Sequence, residues 1–321
     1  MDAAAAALGW LGRQGTRALA AMVFISIALP PLGTLLKPFV AEAVFALLLL
    51  AFLLVEPAAL RSHVRRPALV IAISIWTMAA LPALMCGGYW LLGLNLMSPD
   101  LYLALILQAA ASPLMSSPAI AALLGLDAAL VLATMIVCTA LVSLTAPVFM
   151  RTFAGETLTL SPLALGFKLF LMLAGAALLA TAIRKLAGRE RIAQWKDQID
   201  GVNVIVLFVF VAALMGDIGA QLFANPLLVA GLILLTFVLT ALPLALTVLV
   251  FAGAGWSRAF ALGLMASQRN MGLMLAAAGT GVPELTWLYF ALAQFPIYLL
   301  PQILRPLVSR FRSSLHSAAP S

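Results

Sequence analysis

Four consecutive polar residues, Ser267, Gln268, Arg269 and Asn270, lie near the middle of a run that is otherwise apolar, from about residue 259 to residue 281. A run of this length can cross a bilayer. A charged side chain at bilayer mid-depth costs at least ~2.5–3.5 kcal/mol on insertion scales, so such a residue usually contacts a partner or faces a wet cavity. These four residues are therefore the first candidates for binding an ion or a polar substrate.

A second apolar run, from about residue 101 to residue 124, is interrupted in a similar way. The interruption contains three serines and two prolines: Ser112, Pro113, Ser116, Ser117 and Pro118. Each proline removes a backbone donor, which predicts free carbonyls at about Ala109 and Leu114. Free carbonyls and hydroxyls can hold a small cation or a polar substrate. The alternative is a proline-kinked packing helix whose serines bond to their own backbone.

The break near Arg269 contains no proline and is inferred from the polar run and from Gly272. A continuous helix with one polar face is the alternative. Arg269 can pair with a carboxylate, for which Asp217 is the candidate. It can instead donate to the freed carbonyls of the other interrupted segment, or bind an anionic group of a substrate. Gln108, one turn before Ser112, completes the candidate binding residues.

The composition indicates an all-α integral membrane protein. Of 321 residues, 64% are hydrophobic and 9% are charged, whereas about a quarter of the residues of a soluble domain are charged. Ten predicted spans fill nearly the whole chain. Their bounds are about 18–37, 38–60, 68–92, 101–124, 126–150, 162–184, 200–223, 226–252, 258–281 and 283–304.

The distribution of positive charge predicts the orientation of these spans. The chain has 18 Lys and Arg. With a cytoplasmic amino terminus, all of them fall on the inside except Lys37, Arg151, Lys168 and Arg269, which is the positive-inside pattern. We therefore predict a multi-pass protein of the cytoplasmic (inner) membrane with both termini in the cytoplasm. The net charge is +7. Because the Lys and Arg residues lie in loops and termini next to lipid headgroups, no nucleic-acid partner is expected.

The sequence lacks the common signatures of enzymes. It contains no phosphate-binding G-x-x-x-x-G-K-[ST] loop, no H-E-x-x-H zinc helix and no G-x-S-x-G nucleophile elbow. No histidine or pair of carboxylates lies at mid-depth in a predicted span. We expect no catalytic residues, no metal site and no cofactor, with a coupling sodium ion as the one doubtful case.

The arrangement of the interrupted segments predicts a secondary transporter. Ten spans divide into two groups of five across the loop near residues 151–161, and the interrupted spans are then the fourth of each group. Because each group has an odd number of spans, the second enters the membrane in the opposite orientation. Broken helices at matching places in two inverted repeats mark the binding site of such transporters.

Two motifs resemble the bile acid:sodium symporter family. The stretch from Asn270 to Leu273 is similar to the family's Gln-Asn-x-Gly-Leu in its ninth span. The stretch from Ser116 to Asp127, followed by Thr145-Ala146-Pro147, is similar to the fourth and fifth spans. The resemblance implies transport of organic anions by alternating access, usually driven by sodium, with broken helices 4 and 9 crossing in the core.

The same resemblance implies two domains. A panel domain would comprise spans 1, 2, 6 and 7, in residues 1–60 and 162–223. A core domain would comprise spans 3–5 and 8–10, in residues 68–150 and 226–304. Residues 305–321 would form a basic cytoplasmic tail.

This chain departs from the family where the family binds sodium. Arg269 replaces the glutamine of the motif, and Met265 replaces a sodium-binding glutamate. The family's Ser-Asn pair in the fourth span corresponds to Ser117-Pro118 here, so the amide ligand is missing. Two hydroxyl ligands of the family's fifth span correspond to positions near Val131 and Met135, which are apolar. We therefore predict that sodium coupling is altered or lost and that Arg269 acts as a tethered cation. Sodium symport through backbone carbonyls, and a channel-like or structural paralogue without a pumped substrate, remain as alternatives.

Overall fold

A computed structural model describes residues 5–12, 25, 29–54, 67–155, 161–216, 218–279, 281–297, 299–300 and 302–306. This part of the chain is built from helices and forms no strand. The helices are α1 (5–12), α2 (Pro31–Leu54), α3 (Pro67–Leu91), α4 (Pro99–Ala110), α5 (Ser117–Leu123), α6 (Ala128–Ala154), α7 (Pro162–Ala187), α8 (Lys196–Ala224), α9 (Pro226–Val250), α10 (Trp256–Ser267), α11 (Met271–Ala278) and α12 (Glu284–Pro306). Short helical turns at Leu94–Met97, Arg189–Gln194 and Ala252–Ala254 connect some of them.

Seven of the helices in the described residues are long and apolar enough to cross a membrane. They are α2, α3, α6, α7, α8, α9 and α12, with a mean hydropathy between 1.3 and 2.6. Large apolar side chains cover their outer surfaces, and Leu163 and Leu227 are more than 80% exposed. Apolar surfaces of this size are unfavourable in water and are typical of proteins that contact lipid. The prediction of an all-α, multi-pass membrane protein is confirmed.

The boundary predicted between the first two spans, at residues 37 and 38, is wrong. Helix α2 continues through it, because Pro38 lies in a single 3-10 turn, Lys37–Phe39, at the start of the segment Val40–Leu54. A proline is tolerated in the first turn of a helix, where its missing N–H would have no partner. Half of the predicted first span, residues 18–24 and 26–28, lies outside the described residues.

Both interrupted segments form two short helices each. The first contains α4, of 12 residues, and α5, of 7 residues. The second contains α10, of 12 residues, and α11, of 8 residues. The predicted breaks are therefore present, and the alternative of a continuous helix near Arg269 is wrong.

Glycines allow the closest helix contacts. At Gly33 of α2, an added Cβ would lie 2.3 Å from the Cα atom of Gly216 in α8. At Gly201, near the other end of α8, an added Cβ would lie 2.1 Å from the carbonyl oxygen of Leu8 in α1. Small residues let helix backbones approach in this way within membranes. Helices α1 and α2 therefore contact α8 near opposite ends.

Candidate functional site

The two breaks lie against each other. Pro113 and Arg269 form an isolated antiparallel bridge. The Leu114 N–H donates to the Gln268 carbonyl at 2.9 Å, and the Asn270 N–H donates to the Ser112 carbonyl at 2.7 Å. These bonds satisfy backbone groups that have no partner within a helix. We call the two segments, residues 111–116 and 268–270, the crossing.

The prolines take different roles from those predicted. Pro113 lies in the extended part of the crossing, so its missing N–H is consistent with the break. Pro118 lies in the first turn of α5 and begins that helix rather than interrupting one. The predicted free carbonyl at Leu114 is also wrong, because it accepts from the Ser117 N–H at 3.0 Å.

Arg269 is buried at the crossing, with 4% of its surface exposed. Its Nη1 atom donates to the carbonyl oxygens of Ala111, at 2.9 Å, and of Thr77, at 3.1 Å. Of the three predicted partners for Arg269, a carbonyl of the other interrupted segment is therefore the one observed. Asp217 lies outside the described residues, and among these residues no carboxylate lies within 4.0 Å of the guanidinium.

The Thr77 carbonyl is available because α3 contains a π-helical turn, Trp76–Ala80. There the Leu81 N–H bonds to the Trp76 carbonyl instead of the Thr77 carbonyl. The following residue is Pro82, which has no N–H to offer. The Thr77 carbonyl thus has no donor from its own helix, and Arg269 takes that place. Sequence reasoning missed Thr77, although Pro82 within an apolar run was a usable signal.

Helix ends of both signs meet at the crossing. Helix α4 ends at Ala110 and α10 ends at Ser267, and each of these carboxyl-terminal ends carries about half a negative elementary charge. Helices α5 and α11 begin there, and their amino-terminal ends carry the opposite partial charge. The guanidinium of Arg269 bonds to the carbonyl of Ala111, the residue that follows α4. The chain itself therefore supplies a positive charge at this position.

The positions at which the sequence predicts missing sodium ligands are buried and apolar. Met265, Val131 and Met135 are all at most 2% exposed and offer no oxygen ligand. The carbonyls of Thr77 and Ala111 are already bonded to Arg269. Sodium, like other hard cations, needs several oxygen ligands.

Two of the predicted binding residues have structural partners. Ser267 donates to the Leu264 carbonyl of its own helix at 2.8 Å. This bond gives the serine hydroxyl a structural role in place of ligand binding. The Asn270 Oδ1 atom accepts from the Leu273 N–H at 3.1 Å and so caps α11.

The remaining predicted residues are spread more widely. Gln108 is buried, and its Oε1 atom accepts from the Tyr289 hydroxyl of α12. The Gln268 Nε2 atom donates to the Ile297 carbonyl at 3.4 Å. Ser116 is exposed. Its hydroxyl is therefore separated from the buried polar groups of the crossing.

Several polar atoms at and beside the crossing have no hydrogen-bond partner in the structure. They are buried and comprise Thr77 Oγ1, Ser112 Oγ, Ser117 Oγ and Gln268 Oε1. Buried polar atoms are normally bonded, so each exception requires an explanation such as a bound water or ion. The crossing therefore has capacity to bind a small polar ligand.

The role predicted for Gly272 as a helix breaker is wrong, because Gly272 lies inside α11. An added Cβ at this position would lie 2.8 Å from the Cζ atom of Phe210 in α8. The glycine thus allows an aromatic ring of α8 to contact the helix that follows the break. Its contribution is close packing rather than backbone freedom.

Gly272→Ala is expected to destabilise the protein by about 1–3 kcal/mol, the usual range for overpacking. Phe210→Leu in the same chain should recover part of that loss, since it removes the ring that the new methyl group meets. Thermal unfolding of the two single variants and the double variant gives the coupling energy between the two positions. Additive effects would contradict this contact.

A crevice of about 610 Å³ lies away from the crossing. Its walls include Ala213 and Leu214 of α8 and Leu288 of α12, and two carboxylates, Asp100 and Glu284, lie among its lining residues. None of the residues that line it belongs to the crossing. A small organic molecule would fit this crevice without contacting Arg269.

Comparisons of this sequence with family models and curated proteins identify no relative. No family model matches the chain, and no curated protein matches its sequence. Its function is therefore argued from the crossing of the two broken helices and from the fixed guanidinium within it.

Proposed function

We propose that this protein is a secondary transporter of ten membrane spans, in which Arg269 serves as a fixed cation at the crossing. The main support for this proposal is that Arg269 donates to the carbonyls of Thr77 and Ala111, which have no partner within a helix. These carbonyls lie where the carboxyl-terminal ends of two broken helices meet. A transported coupling ion would use the same oxygens. A guanidinium that already holds them supplies the positive charge without an ion.

The ten-span arrangement rests on more than the seven long helices. The pairs α4–α5 and α10–α11 would each supply one span, broken at the crossing. The contacts of Leu8 with Gly201 and of Gly33 with Gly216 lie about 22 Å apart along α8, at 1.5 Å per residue. These contacts place α1 and the start of α2 toward opposite ends of α8, and the first predicted span would complete the ten. Two inverted repeats of five spans, with both termini in the cytoplasm, follow as the proposed topology.

The proposed panel and core domains suggest a path for the substrate. The crevice lies between α8, which belongs to the panel, and α4, α9 and α12, which belong to the core. Alternating access would change the exposure of such a crevice as one domain moves against the other. The proposed site residues of the core are then those of the crossing.

Organic anions remain the proposed substrates on the family resemblance alone. The crevice lining contains Asp100 and Glu284 and, among the described residues, no Lys or Arg. Carboxylates at this position repel an anion. A substrate screen should therefore include zwitterions and cations as well as organic acids.

The first test is the thermal stability of the purified protein, titrated with sodium against choline at constant ionic strength. A bound ion stabilises a protein by about 2.7 kcal/mol at a hundredfold excess over its Kd. We expect no sodium-specific change, because Arg269 occupies the carbonyls. A sodium-specific rise would contradict the fixed-cation proposal and favour ordinary sodium symport.

Uptake into proteoliposomes separates a transporter from a channel. Saturable uptake that does not depend on a sodium gradient is expected for the proposed function. A non-saturating flux would favour the channel-like alternative, and the screen identifies the substrate class in the same experiment.

A further inference from the structure

We propose that the crossing also binds one small monovalent anion of the halide class, held by Arg269, Ser112 and Thr77. This inference concerns the same place in the fold as the proposed function, but it does not require that the protein transports anything. It rests on the charge of Arg269 and on donors without partners.

The charge at the crossing is not balanced by the described residues. Each break contributes one carboxyl-terminal and one amino-terminal helix end, and these partial charges oppose each other. Arg269 then leaves about one net positive charge. No carboxylate of the described residues lies within 4.0 Å of it, and Met265 on α10 is apolar and fully buried. A buried charge without a partner is costly, so a counterion is favoured.

Donors remain available around the guanidinium. An arginine has five N–H donors, and the hydrogen bonds of Arg269 to described residues both come from Nη1. The N–H groups of the Nε and Nη2 atoms are therefore available to bind a ligand. The Oδ1 atom of Asn270 accepts from the Leu273 N–H, which identifies its Nδ2 atom as a donor. Arg269 is 4% exposed and Asn270 is 8% exposed, so only a small ligand would contact both.

Some buried hydroxyls of this protein bond to their own helix, whereas those of Ser112 and Thr77, and of Thr139 and Tyr102 elsewhere, have no partner. Ser74, Thr134 and Thr240 donate to the carbonyl one turn earlier in their own helices, at 2.7–2.9 Å. Ser112 and Thr77 make no such bond, although both are 0% exposed. Ser112 lies outside any helix, next to the carbonyl that Arg269 binds. An anion beside the guanidinium would accept from both hydroxyls.

The limited access favours a single-atom anion over an organic one. The large crevice includes no residue of the crossing, and the exposed fraction of Arg269 is only 4%. A halide needs space for one atom and accepts several N–H and O–H donors at once. Chloride is therefore the probe for this site.

The test replaces gluconate by chloride, bromide or formate at constant ionic strength and with choline as the cation. We expect a saturable rise in Tm with chloride and bromide for the full-length protein. Because choline replaces sodium throughout, this result is independent of the sodium titration that tests the fixed-cation proposal. Equal Tm values in chloride and gluconate, or a rise with formate alone, would overturn the inference.

Ser112→Ala is the informative variant. In gluconate it removes an unpartnered hydroxyl, so its stability should equal or exceed that of the native protein. In chloride it loses one hydrogen bond to a charged ligand, which should weaken chloride binding about tenfold or more. Ser257→Ala, at an exposed position of α10 outside the crossing, is the matched control and should leave the chloride response unchanged.

Arg269→Gln should abolish the chloride response. If this variant does not fold, Ser112→Ala still decides the question. A chloride-dependent rise that both variants retain would place the anion elsewhere and overturn the assignment to the crossing.

Discussion

Arg269→Gln is expected to lower the free energy of unfolding by about 3 kcal/mol in choline. The change removes two hydrogen bonds from a charged donor, each worth about 1.5–3 kcal/mol, to the carbonyls of Thr77 and Ala111. It also relieves the desolvation of a buried guanidinium, which is several kcal/mol in folded proteins. The net loss is therefore smaller than the hydrogen bonds alone suggest. Thermal unfolding in matched detergent measures it.

The same variant should become sensitive to sodium. Once Arg269 is absent, the two carbonyls again point toward one place between the carboxyl-terminal ends of α4 and α10. Carbonyl oxygens in such a position are suitable ligands for a hard cation. Sodium, but not choline, should then restore part of the lost stability. A response equal to that of the native protein would contradict the view that Arg269 replaces an ion.

Arg258→Gln supplies the control. Arg258 lies in α10, as does the segment leading to Arg269, but its side chain is 38% exposed and its Nε atom lies 3.7 Å from an Asp127 oxygen. Exposed pairs of this kind contribute about 0–1 kcal/mol. If both arginine variants lose the same stability, burial at the crossing is not the source of the effect.

The breaks at the crossing could be predicted because they are marked by side-chain type. Pro113 and the polar run that contains Arg269 stand out in apolar sequence, and charge at bilayer mid-depth limits the available partners. Thr77 is marked only indirectly in the sequence, by Pro82 five residues later. It contributes a backbone carbonyl, it lies 192 residues from Arg269, and its availability depends on a π-helical turn.

The errors share a physical cause. Pro118 was expected to break a helix, yet it lies in the first turn of α5, where a proline costs no hydrogen bond. Gly272 was expected to free the backbone, yet it provides space for a ring. The type of a proline or glycine alone does not distinguish a helix start or a close contact, as at Pro118 and Gly272, from a break, as at Pro113. The sequence does not show which residue of a distant helix lies nearby.

Gly33→Ala is expected to destabilise the protein by about 3 kcal/mol, at the upper end of the range for overpacking. The new Cβ would lie 2.3 Å from the Cα atom of Gly216 and 3.0 Å from the carbonyl oxygen of Ala212. Both neighbours are backbone atoms, so neither can rotate away, and α2 and α8 must separate. Because both helices belong to the proposed panel domain, the loss should appear as reduced stability of the whole protein in thermal unfolding.

Gly231→Ala makes the same chemical change in a different environment. Gly231 lies in α9, and an added Cβ there would have no heavy atom within 4 Å. Alanine is favoured over glycine in a helix by about 0.8–1 kcal/mol, so this variant should be as stable as the native protein or more so. Opposite signs for the two substitutions would show that close backbone contact, rather than helix propensity, decides the effect at Gly33. Equal signs would mean that α2 and α8 are not in direct contact at this position.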